Sequence, residues 1–77
     1  MNLNIKYFGS LAEITQRNEE NIMFSRSSVS DLLDLLFNKY PNLKEKDFQV
    51  AHNNEIVSNE TLITDVNIAL LPPFSGG

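Results

Sequence analysis

The residues best placed to do chemistry are the last two, Gly76-Gly77. Backbone without side chains can enter a narrow channel where a Cβ would collide. A carboxylate on Gly77 is a poor electrophile in water, but transfer of AMP to it from ATP gives an acyl-adenylate with a good leaving group. A sulfur nucleophile can then attack the acyl carbon and expel AMP, leaving a thiocarboxylate. That route asks for no catalytic side chain on this chain. The absence of cysteine fits it, because the sulfur would be carried on Gly77.

The residues before the tip suit the same reading. In Leu70-Leu71-Pro72-Pro73-Phe74-Ser75-Gly76-Gly77 a hydrophobic stretch runs into two prolines, which fix φ and end a strand in an extended, stiff exit. The expectation is a tether over 72–77: a stalk at Pro72 and Pro73, an aromatic anchor at Phe74, then Ser75, Gly76 and the reactive Gly77. A glycine pair taken alone is weak evidence, since glycine-rich ends are often only flexible.

Something must position such a tail. Leu3, Ile5 and Tyr7 alternate with Asn4, Lys6 and Phe8, the period of a half-buried strand ended by Gly9-Ser10. Leu11 to Thr15 fits a short helical turn, with Leu11 and Ile14 facing inwards, and Gln16 to Asn21 reads as a polar loop. Ile22 and Phe24 mark a second strand. Val29, Leu32, Leu33, Leu36, Phe37 and Tyr40 then fall on one helix face. Ser28 and Asp31 have the spacing of a capping box, and Pro41 ends the helix at Tyr40. Phe48–Ala51 reads as a strand, His52-Asn53-Asn54-Glu55 as a turn, Ile56-Val57 as a short returning strand and Val66–Leu71 as the last strand. The order β-β-α-β-(β)-β predicts an α+β chain: a mixed sheet with one long amphipathic helix on one face and the first and last strands side by side at its centre. That is the β-grasp, or ubiquitin-like, fold, with residues 1–77 as a single domain.

Composition narrows the function classes. Seventy-seven residues allow one modest core and no deeply walled pocket, which favours a carrier, adaptor or subunit over a self-sufficient enzyme. Ten acidic residues against six scattered basic ones argue against nucleic acid, and suit a partner with a basic docking face. With no cysteine and one histidine, neither a disulfide nor a multi-histidine metal site can be built, so no metal is expected. No apolar run is long enough for a membrane span and no signal-peptide pattern begins the chain, so the cytoplasm is the expected location.

The ending Pro72-Pro73-x-x-Gly76-Gly77, together with Ile5-Lys6-Tyr7-Phe8-Gly9-Ser10-Leu11-Ala12-Glu13, resembles the small subunit of molybdopterin synthase over essentially the whole chain. The resemblance implies a ubiquitin-activating-like adenylyltransferase that uses ATP and magnesium to activate Gly77, no cofactor bound by this chain, and a sulfurtransferase system that supplies sulfur. It further implies insertion of the tail into the large subunit of a heterotetrameric synthase, where sulfur passes to a cyclic pyranopterin to build a dithiolene, two donors being consumed per product. This chain would then be the non-catalytic sulfur donor. Two positions depart from the family pattern. Ala12 stands where many members have arginine, and Asp65 lies in a pre-strand turn that often contains glycine.

Leu71 and Phe74 are expected at a partner interface. Phe8 and Ile56 fit either that open face or the core. His52 reads as a hairpin-surface histidine, and Glu13, Glu19 and Glu20 as a solvated face. Other readings of the same tip are a sulfur carrier for thiamine thiazole or amino-acid synthesis and a ubiquitin-like modifier joined to lysines. A passive binding domain would need only the fold. Thiazole-type carriers usually lack the Pro-Pro exit, so Pro72-Pro73 argues against that pathway.

Overall fold

Alternation builds the first strand. Leu3, Ile5 and Tyr7 are buried on one side of β1 (Asn2–Tyr7), while Asn2 and Lys6 stay exposed. A computed structural model describes residues 1–25 and 27–73. After β1 come the short helix α1 (Ser10–Thr15), β2 (Glu19–Met23), α2 (Val29–Lys39), a 3-10 helix over Pro41–Glu45, β3 (Gln49–His52), β4 (Glu55–Val57) and β5 (Asn67–Leu71).

The five strands form one sheet in the order β2-β1-β5-β3-β4. β1 and β5 run parallel in register from Asn4↔Asn67 to Tyr7↔Leu70, and the remaining pairings are antiparallel. The ends of the chain are therefore neighbours inside the sheet, as the β-grasp reading requires. α2 covers one face with Val29, Leu32, Leu33 and Leu36, helped by Leu11 of α1 and Leu43 of the 3-10 helix. Two helices, rather than one long helix alone, accompany the sheet, and α2 has 11 residues.

Local chemistry sets the boundaries. The Asp31 amide donates to Ser28 Oγ at 3.3 Å and the Ser28 amide donates to Asp31 Oδ2 at 3.4 Å, so the capping box forms. Tyr40 leaves the helical region ahead of Pro41, although its amide still donates to the Leu36 carbonyl at 2.7 Å. The β3–β4 hairpin turns on Asn53 and Asn54 at φ 54° and 66°, left-handed values that asparagine tolerates better than most residues.

Three expectations change. β2 begins at Glu19, so the loop expected over Gln16–Asn21 shrinks to residues 16–18. Edge strands accept polar residues on their free face, and Glu19 pairs with Lys6 in the β1 register. Glu20 does not belong to a solvated face: it is 7% exposed and points to the helix side. His52 is the last residue of β3 and is 8% exposed, not a surface hairpin residue. The turn before β5 needs no left-handed residue at Asp65, because His52 Nε2 accepts the Thr64 and Asp65 amides at 3.0 and 2.9 Å.

Candidate functional site

The site begins where β5 ends. Leu71 pairs with Gln49 of β3, and the Phe8 amide donates to the Leu70 carbonyl at 3.1 Å, so the last strand is held by β1 through Leu70 and by β3 through Leu71. Pro72 follows half-buried and Pro73 exposed. Neither has a backbone N–H to continue a ladder, so the sheet stops there. Phe74, Ser75, Gly76 and Gly77 lie outside the described residues.

Gly9 is the residue that sequence reasoning passed over. It adopts φ 58° and ψ −134°, and a Cβ built on it would come to 2.9 Å from Pro72 Cγ. Its only signal in the sequence was a glycine between a strand and a short helix. Ala12 borders the same corner, in a depression shared with Lys6, Phe8, Gly9, Asn18 and Glu19.

The open face of the sheet is built from one side of each strand. Lys6, Ala69, Ala51 and Ile56 share a rung across β1, β5, β3 and β4. The two alanines keep the middle low. A depression of about 370 Å³ lies there, lined by Asn4, Lys6, Phe8, Ala51, Asn54, Asn67, Ile68 and Ala69. Phe8 is 46% exposed and Ile56 54%, so neither belongs to the core. The structure places Phe8 at the tail exit, its amide bonded to Leu70 one residue before Leu71. Ile56 lies three strands from β1 (roughly 14 Å at the usual strand spacing) and borders a separate depression with Leu33, Phe37 and Phe48.

On the helix side, Glu20 Oε2 accepts from Tyr7 at 2.6 Å and from Tyr40 at 2.5 Å, while Oε1 is 2.6 Å from Lys39 Nζ. Burial pushes the Glu20 carboxyl up, but the hydrogen bonds from Lys39, Tyr40 and Tyr7 outweigh it and hold the group below the ordinary glutamate range. Burial and the same carboxylate push both tyrosine hydroxyls up. Glu20 thus ties β2, β1 and the end of α2 together, as a structural hub. Among the described residues no group of three or more His, Asp or Glu side chains could hold a metal, and no helix is long and apolar enough to cross a membrane.

Residues 5–77 match the ThiS family. This chain belongs to that family. Solved structures carry the same architecture. The putative molybdopterin converting factor subunit 1 of Pyrococcus furiosus superposes with a TM-score of 0.88 at 22% identity, over 96% of this chain and 99% of the other. SAMP1 of Haloferax volcanii gives 0.81 at 25% identity, with all of both chains covered. Subunits 1 and 2 of the molybdopterin-converting factor of Helicobacter pylori form a complex whose matching chain gives 0.69 at 25% identity, again with full coverage. This ThiS-family chain therefore has the fold shared by molybdopterin-converting-factor small subunits and small archaeal modifiers. In it β5 ends beside Phe8 and Gly9, where Pro72 leaves the sheet.

Proposed function

We propose that this chain is a sulfur carrier of molybdenum cofactor synthesis, with Gly77 as its reactive residue. A Gly77 carboxylate oxygen attacks the α-phosphorus of ATP on a ubiquitin-activating-like adenylyltransferase, and magnesium-bound pyrophosphate leaves. A hydrosulfide equivalent from a sulfurtransferase system attacks the acyl carbon, AMP leaves, and the thiocarboxylate forms. The charged tail then enters the large synthase subunit, where its sulfur bonds to a cyclic pyranopterin carbon, water attacks the acyl carbon as the acyl C–S bond breaks, and Gly77 returns to a carboxylate. In this reading the chain binds no cofactor itself, works in the cytoplasm, and assembles with the large subunit into a heterotetramer.

The observation that carries this reading is the Leu71-Pro72-Pro73 strand exit, followed by Phe74-Ser75-Gly76-Gly77, on a ThiS-family domain. The H. pylori complex of subunits 1 and 2 supports a large-subunit partner. A second reading, attachment to other proteins, is favoured by the likeness to SAMP1 of H. volcanii. Intact-mass measurement after incubation with the adenylyltransferase, ATP, magnesium and a sulfur source separates them. The carrier predicts replacement of one oxygen by sulfur, confined to the C-terminal peptide. Conjugates to lysine would favour the modifier. Full activity after deletion of Gly77 would sink both and leave a passive binding domain. Dithiolene formation on adding the large subunit and pyranopterin assigns the pathway against thiazole or amino-acid synthesis.

A further inference from the structure

We propose that Gly9 is a positioning residue: the space left by its missing side chain is the seat of Pro72, and that seat sets the direction in which the chain leaves β5. The inference rests on the sulfur-carrier reading for its consequence, but its geometry is independent of it. Two separate observations select glycine here. The backbone lies at φ 58° and ψ −134°, a region glycine reaches without a Cβ clash. The Cβ of any other residue would come to 2.9 Å from Pro72 Cγ, with Cδ at 3.9 Å.

Gly9 cannot easily move aside. Its carbonyl accepts the Ala12 amide at 3.1 Å, closing the first turn of α1. The preceding residue, Phe8, donates its amide to Leu70 and accepts the Leu11 amide, each at 3.1 Å. The glycine is therefore fixed from the strand side and from the helix side. Pro72 has no N–H and is past the last paired rung, so it is the partner that gives way. A side chain at residue 9 would push the proline off the sheet edge and turn the exit. In the sulfur-carrier reading the reacting carboxylate lies five residues further along the sequence, so its approach to a fixed active site starts from the direction set at Pro72. Misplacement of a reacting group by about 1 Å can lower a rate by about a hundredfold.

The test is a double-mutant cycle over Gly9→Ala and Pro72→Ala, with two readouts. In the wild type, NMR should show a nuclear Overhauser contact between the Gly9 α-protons and the Pro72 ring. With the adenylyltransferase and ATP–magnesium, Gly9→Ala should lower kcat/KM for pyrophosphate release by about tenfold or more, mostly in kcat, while the sheet amide pattern is retained. In the Pro72→Ala background, where the colliding ring carbon is gone, the same substitution should change the rate by less than about threefold. Absence of the contact, an unchanged rate in Gly9→Ala, or an equal loss in both backgrounds would overturn the proposal. Should Gly9→Ala fail to fold, refolding of the double variant supports the seat, and continued unfolding assigns the cost to the backbone alone. Should wild-type protein not be adenylated, the sulfur-carrier reading fails. The seat is then judged by the NMR contact and by whether Gly9→Ala shifts residues 70–73.

Discussion

The Tyr7 hydroxyl of β1 donates to the Glu20 carboxylate of β2 at 2.6 Å, inside a side chain environment that is 3% exposed at Glu20. The two residues come from neighbouring strands, and the Tyr40 hydroxyl completes the clamp from the end of α2 at 2.5 Å. Tyr7 and Tyr40 meet edge to face with ring centroids 6.1 Å apart, so the polar and apolar parts of the cluster lock the same three elements.

This cluster predicts a specific pH dependence. Because folding lowers the Glu20 pKa, its contribution is present above the ordinary glutamate pKa and is lost as pH falls through the lowered value. Folding raises the tyrosine pKa values, so their contribution is full below the ordinary tyrosine pKa and declines as pH rises from there. Glu20→Gln should cost about 1–3 kcal/mol at neutral pH and flatten the acid limb of stability against pH. Lys39 is 43% exposed at its side chain, so Lys39→Met should cost under about 1 kcal/mol. Urea midpoints measured across pH check this, and an acid limb of undiminished slope in Glu20→Gln would show that other carboxylates carry it.

His52 makes a second prediction. One ring nitrogen, Nε2, accepts two backbone amides, which places the ring N–H on Nδ1. His52→Ala should destabilise by about 2–4 kcal/mol, through two orphaned amides and a cavity. An imidazole with its proton on Nε2, read from ring nitrogen shifts, would contradict the geometry.

Much of this architecture is legible from local pattern. The alternation of Leu3, Ile5 and Tyr7, the one-sided stripe of α2 and the Ser28–Asp31 cap all state their structure within a few residues. Glu20 and His52 were misread because their partners are remote. A glutamate in a polar run reads as solvated until Tyr7, Tyr40 and Lys39 converge on it, and a histidine beside Asn53-Asn54 reads as turn until the segment before β5 crosses over it. The Gly9–Pro72 contact depends on the parallel pairing of β1 with β5, which places opposite ends of the chain together. The tail motif is the opposite case: the reading of Gly76 and Gly77 as the reactive tip rests on sequence alone.

The hairpin offers room for stabilisation. Asn54 has φ 66°, a left-handed value at the second turn position, where glycine is the preferred residue in two-residue hairpins. Asn54→Gly should stabilise the fold by a few tenths to about 1 kcal/mol, whereas Asn54→Ala should destabilise it by about 1 kcal/mol. Thermal unfolding of the pair checks the sign. An increase in melting temperature with alanine would mean that the turn is not held in this conformation.

The open face should recognise its partner unevenly. Phe8 bonds through its amide to Leu70, and its neighbour Gly9 touches Pro72, while Ile56 lies on the far edge strand and borders a different depression. A partner that receives the tail must approach the exit, so the face nearest Phe8 is buried first and most completely. Truncation of an aromatic anchor at the centre of an interface typically costs about 2 kcal/mol or more, and truncation at a rim far less. Phe8→Ala should therefore weaken binding to the large subunit by more than about tenfold, with Ile56→Ala losing under about threefold. Because both side chains are about half exposed, neither change should shift the unfolding midpoint greatly. Titration calorimetry at fixed salt gives the comparison. A larger loss for Ile56→Ala than for Phe8→Ala would centre the interface on β4 and separate it from the tail exit.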